Sequence, residues 1–187
     1  MAPSSEHKAW AGILREKIPE GARVHNYKDE GENHSITIFS GHIDDEYFAS
    51  TVGLMDLEQR THQGVSITTE VLIERRGSDQ WLGNLASTVA FFVMKDGWSI
   101  APGIIFERML EVYEPRTPLP HLFFVPIFQW DDMSRVSVGT HTLFPLLAVP
   151  ISEGESQLVA KRGAQALENR WERLKTDVFD WSRESVA

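Results

Sequence analysis

The 187-residue sequence has no cysteine. That removes disulfide scaffolding, thiol nucleophiles and thiolate metal ligands together, and fits a reducing compartment. It has no basic block either. Eighteen Lys and Arg stand against 27 Asp and Glu, for a formal net charge of −9, whereas a phosphate-tracking surface needs clustered cations. A dedicated nucleic-acid binder is excluded, and an acidic surface suits docking to a basic protein. No apolar run approaches the roughly 20 residues of a membrane-spanning helix. The opening MAPSSEHKAW lacks a basic patch ahead of an apolar stretch, so it reads as free of a signal peptide and the chain as cytoplasmic. Catalytic motifs are missing as well: no G-x-S-x-G, H-E-x-x-H or Gly-rich phosphate loop occurs. Triads are assembled in space, so a small hydrolase remains an alternative.

What is present is an ordinary globular composition, 42% hydrophobic and 24% charged, which argues against wholesale disorder. The length suits one domain over residues 1–187, with residues 1–5 as a flexible tail. Ser5 is placed to cap a helix reaching about Ile18, with Trp10, Ile13, Leu14 and Ile18 as its apolar stripe. Arg23 to Tyr27 and Ser35 to Ser40 read as strands joined by a polar turn, and Gly41 to Glu46 as an acidic loop. Gly64 to Arg75 alternates: Val65, Ile67, Thr69, Val71 and Ile73 share one face, and Ser66, Thr68, Glu70 and Glu74 a polar one that Leu72 interrupts. The polar loop before it returns the chain for antiparallel pairing. The period then changes to that of a helix, with Asp79 as its cap, an apolar face from Trp81 through Leu85, Val89, Phe92 and Val93, and a stop at Asp96-Gly97.

The stretch from Pro115 to Asp132 begins as a stiff proline connector, becomes a buried strand ending near Val125, and closes on Trp130-Asp131-Asp132. Phe144 to Ile151 reads as a further strand, and Ser152-Glu153-Gly154-Glu155 as a helix start with carboxylates at the positive end of the dipole. Gly163 divides the C-terminal helix, which carries Leu167, Trp171 and Leu174. Strands and helices in mixed order specify an α+β fold, with a mixed, largely antiparallel β-sheet packed with helices.

Several segments resemble, in order, the suppressor-of-fused domain family. TVGLMDLE (Thr51 to Glu58) and TTEVLIE (Thr68 to Glu74) look like two of its strands. Trp81, Leu85 and Ala86 fit its W-x3-L-A helix, and Pro102-Gly103 its following turn. PLPHLFFVPIFQWDD is similar to its M-P-H-apolar stretch with Leu119 in place of Met, VPISEGE to its P-I-S/T-x-x-E block, and DVFDWSRESVA to its terminal D-x-x-D-x-x-R-x-S. The resemblance implies a non-enzymatic protein-binding domain. Animal members clamp an extended peptide of a zinc-finger transcription factor between this domain and a second one; bacterial single-domain members look like immunity proteins that neutralise polymorphic toxins by binding. With no second domain after Ala187, the immunity role is favoured. The alternative is a scaffold that captures an extended partner peptide by strand addition.

Candidate partner contacts are Asp96 and Trp98 after the central helix, Trp130 with Asp131 and Asp132, and the acidic run Asp44, Asp45 and Glu46. Aromatics on turns bury much area at small rotamer cost, and flanking carboxylates steer a basic partner. His121 reads as a core histidine bonded through its ring nitrogens. His121, Asp131, Asp132 and His141 match no compact ligand spacing, so neither a metal nor a cofactor is expected.

Overall fold

The computed structural model describes residues 3–61, 63–78 and 80–187. Helix α1 (Ser5–Lys17) is followed by β1 (Glu20–Lys28), β2 (Ser35–Ile43) and β3 (Glu46–Val52). Then come the short strands β4 (Gln59–Arg60) and β5 (Ser66–Ile67), β6 (Val71–Arg76), helix α2 (Leu82–Asp96), β7 (Ile105–Phe106) and β8 (His121–Pro126). A small hairpin, β9 (Val136–Val138) and β10 (His141–Leu143), precedes β11 (Leu146–Ile151), α3 (Glu153–Arg162) and α4 (Ala164–Leu174). Seven strands form one sheet in the order β1-β2-β3-β6-β11-β8-β7. Its β6–β11 pair is parallel and its other pairs are antiparallel, so the α+β architecture stands.

Helices lie on both sheet faces. Alternate residues of β11 divide between them: Leu147, Val149 and Ile151 join the core beneath α1 and α4, with Trp10, Leu14, Phe123 and Trp171. Leu146 and Ala148 join the core beneath α2, with Leu85, Val89 and Phe124. A strand buried on both sides has no use for a polar face. That corrects the alternation read from Gly64 to Arg75: Leu72, Glu70 and Glu74 are all buried. The expected strand also breaks after Ile67 and resumes at Val71. Glu70 becomes a buried acceptor for the turn after β3. It accepts from Thr51 Oγ1 at 2.5 Å and from the N–H groups of Gly53, Leu54 and Met55 at 2.6, 3.3 and 3.1 Å. Burial pushes its carboxyl up, against these donors.

Three further boundaries differ from expectation. The cap of α1 is Ser4, whose side chain accepts from the His7 N–H in a capping box. The acidic loop Gly41 to Glu46 is a tight hairpin between β2 and β3, with Asp44 at a positive φ of 50°. Asp79 lies outside the described residues; Trp81 holds the N-cap position of α2 in left-handed backbone at φ 53°. Its ring stacks on Tyr113 at 5.2 Å, and the Arg75 guanidinium sits 5.0 Å from it and 5.1 Å from Trp181. The β9–β10 hairpin has no counterpart in the sequence reading. Three-residue strands are too short for periodicity to report.

The C-terminal tail is bolted to the sheet. Ser152 and Glu155 form the capping box of α3, and the buried Glu155 carboxylate takes Arg183 Nη1 and Nη2 at 2.7 and 3.1 Å. Burial alone would raise this carboxyl; Arg183, the Ser152 N–H and Trp171 outweigh it and hold it low. Arg183 also donates to the Pro150 carbonyl of β11.

Candidate partner-binding surfaces

Trp98 is set by the end of α2. Gly97 turns the helix off in left-handed backbone at φ 68°, and the N–H groups of Gly97 and Trp98 both close on the Phe92 carbonyl. This backbone lays the Trp98 ring on Phe92 at 4.5 Å and edge-on to Phe106 at 4.8 Å. Even so, 39% of Trp98 stays exposed, next to exposed Asp96. The result is a rigid, displayed aromatic at the α2 side of the sheet.

Trp130 is placed differently. Its ring is half-buried and tilts against Phe48 of β3 at 5.7 Å, on the opposite face of the sheet. Asp131 is exposed, while Asp132 is gripped by Lys17 of α1 at 2.8 and 2.7 Å, which holds its carboxyl low. Glu46 starts the strand that carries Phe48 and pairs with Arg76 at 3.0 Å. Asp44 and Asp45 are exposed at the hairpin tip. The structure therefore brings Trp130 and the Asp44–Glu46 hairpin to one strand and sets Trp98 apart on the other face. Of the acids named from sequence, Asp132 and Glu46 are already matched by cations of the protein itself.

His121 is a core residue, 3% exposed. Its Nδ1 accepts from the Arg108 N–H at 3.0 Å, and its Nε2 lies 3.0 Å from Glu153 Oε2. Among the described residues no group of three or more His, Asp or Glu is arranged to hold a metal ion, and no helix is long and apolar enough to cross a membrane.

Sequence reasoning missed a groove of about 640 Å³ between the end of β8, α4 and the tail. One signal for it was readable, because Phe128 follows Pro126 and Ile127 and so stands beyond the strand's hydrogen bonding. Beside it lies an acid cluster: Glu74 is 2% exposed and accepts from Gln129 Nε2 at 2.7 Å, and Arg76 bridges Glu46 and Asp177. Burial, reinforced by the neighbouring Glu46 and Asp177, pushes the Glu74 carboxyl up to about 8.

Residues 32–184 match the family model described as suppressor of fused protein (SUFU). Immunity protein YqcF of Bacillus subtilis (strain 168) is 31% identical over 194 residues, covering 100% of each chain. Solved structures share the fold at lower identity. A suppressor of fused homolog from Neisseria gonorrhoeae FA 1090 superposes with a TM-score of 0.73 at 12% identity over 97% of each chain. A chain of the Sufu–Fu complex gives 0.70 at 13% identity over 99% of this chain and 93% of that one. Drosophila Suppressor of Fused gives 0.63 at 12% identity, with 98% of this chain spanning 52% of that protein. The family match over most of the chain and the end-to-end similarity to YqcF agree with the motif order, and the chain belongs to the suppressor of fused family as a non-enzymatic binding protein.

Proposed function

We propose that this protein is an immunity protein, a single domain that neutralises a cognate toxin by direct binding in the cytoplasm. The observation that carries the reading is the 31% identity to immunity protein YqcF across the whole of both chains. Two surfaces support it. Trp98 with Asp96 offers a preorganised aromatic anchor, and rigid rings held before binding lose little entropy on docking. The Asp44, Asp45, Glu46 hairpin with Trp130, Asp131 and Asp132 offers a patch whose exposed Asp44, Asp45 and Asp131, unlike the cation-paired Glu46 and Asp132, would speed encounter with a basic toxin at an on-rate falling with salt. The test is co-expression with the product of the adjacent gene. A stable complex and rescued growth are expected; a toxic product that neither binds nor is relieved sinks the assignment for that pair.

Capture of an extended partner peptide is the second reading. It is favoured by β1, a nine-residue strand at the sheet edge, mostly exposed and hydrogen-bonded to β2 alone within its sheet. A short peptide of the partner that binds as tightly as the whole protein would select this reading.

A further inference from the structure

The groove between β8 and α4 is built from two kinds of surface that do not satisfy each other. Its floor is apolar and closely packed: Val125, Ile127, Trp171 and Val178 are nearly buried, with Trp171 edge-on to Phe123 at 5.9 Å. At its lip Phe128 is 55% exposed, and its ring stacks on Phe179 at 6.0 Å. One wall is the face of α4 that carries Glu168 and Glu172. These acids stand four residues apart on one helix face, an arrangement that destabilises an isolated helix by like-charge repulsion. Neither forms an ion pair or a side-chain hydrogen bond among the described residues. By contrast, Glu155, Asp132, Glu46 and Asp177 each have a cation of the protein within reach. Burial pushes the half-buried Glu168 carboxyl up, and no donor or cation among the described residues opposes it. Lys175 stands at the far end of the same wall, one helical turn past Trp171 and Glu172.

We propose that this groove receives a basic, amphipathic segment of a protein partner. An aliphatic side chain would rest on the Ile127–Trp171–Val178 floor, and a neighbouring lysine or arginine would lay its stem along Phe128 and bring its head group to Glu168 and Glu172. Long cationic side chains bury their methylenes while keeping the charge at a polar rim, which is the division of surface found here. An aromatic lip adds cation–π attraction. An acidic segment would meet the two unpaired carboxylates, and a purely apolar one would desolvate them with no compensation. The inference rests on the reading of this chain as a protein-binding module, but not on the identity of any toxin. It adds a surface on the other side of the sheet from Trp98, adjoining the Trp130 patch through Arg76, which bridges Glu46 and the groove residue Asp177.

The probe is an acetylated, amidated helical peptide of alternating Leu and Lys pairs, compared with Leu/Glu and Ser/Lys counterparts of equal length. Titration into the full chain, followed by backbone amide shifts, is expected to move residues of 125–128 and 168–179 with the Leu/Lys peptide alone. The paired substitution Glu168→Gln with Glu172→Gln, and separately Phe128→Ser, should each weaken binding about tenfold. The charge-matched pair Glu16→Gln with Glu30→Gln should leave it unchanged. Thermal unfolding of each variant checks that the fold is retained. Equal binding by the groove variants, or shifts spread over the whole acidic surface, would overturn the proposal and reduce the effect to net charge. Equal binding of the Leu/Glu peptide would overturn the charge assignment. A dimer of the free protein that dissociates on Phe128→Ser would give the groove to a second copy instead. Wild-type co-purification with the toxin is read in parallel, so a failed groove and a failed immunity assignment are told apart.

Discussion

Trp98 and Phe128 are both displayed aromatics, one on each side of the same sheet, and they are held there by different means. Trp98 is placed by its own neighbourhood: six residues of chain, a left-handed glycine and two backbone hydrogen bonds to Phe92. Phe128 owes its surroundings to the far end of the chain. Phe179 stacks on it, Val178 and Trp171 floor the groove beside it, and the tail carrying them is pinned by Glu155 and Arg183. A locally built site survives damage elsewhere. A site built by a docked tail depends on the latch.

The largest test of that contrast is Arg183→Ala. It strands the buried Glu155 carboxylate and should cost about 3–5 kcal/mol in urea unfolding. Hydrogen exchange should show amides of residues 176–186 losing protection, while those around Trp98 keep theirs until global unfolding. Loss of protection at both places together would make the two regions one cooperative unit.

Next is Glu74, which lies beneath the groove side of the sheet. Its carboxyl sits at about 8 in the folded protein against an ordinary value of 4.5, so the folded state holds the proton more tightly. The associated stability is full below 4.5 and is lost as the pH rises through about 8. Glu74→Gln keeps the shape and removes the titration. Above pH 8 the variant should be the more stable by about 2–4 kcal/mol, whereas near pH 4.5 the two should converge. Urea midpoints against pH give the comparison, and parallel curves would sink it.

Trp98→Ala should reverse the order of effects. With the residue 39% exposed, its loss should cost about 1 kcal/mol of stability. If the ring anchors the toxin, binding should fall by about 2 kcal/mol or more, measured by calorimetry with the purified partner. A variant that binds as well as the parent removes Trp98 from the interface. The smallest effect is expected at Asp132→Asn. Its pair with Lys17 is solvent-exposed, and the change in thermal stability should stay within about 0.5 kcal/mol.

Sequence periodicity was a good guide where an element reports on itself. The α2 face, the Gly97 and Gly163 stops, the helix start at Ser152 and the strand at His121 all follow from residues a few positions apart. His121 was readable as a core histidine because an apolar strand surrounds it, although its partner Glu153 comes from a later helix start. Glu70 and Glu74 were misread because alternation records side-chain chemistry, not what covers each face. On β6 the second face is closed by segments that arrive much later in the chain, including Phe123 and Trp171 against Leu72 and Gln129, whose Nε2 donates to the Glu74 carboxyl at 2.7 Å.

The fold class, the family and most of the helices and strands were legible in the order of residues alone. The same residues set an acidic, cysteine-free surface without catalytic motifs. Which carboxylates are matched and which stay open was settled by folding. It gave Asp132 to Lys17 and Glu155 to Arg183, and left Glu168 and Glu172 beside an apolar groove. Pairing and burial depend on groups far apart in the chain, and neither composition nor local spacing carries that distance.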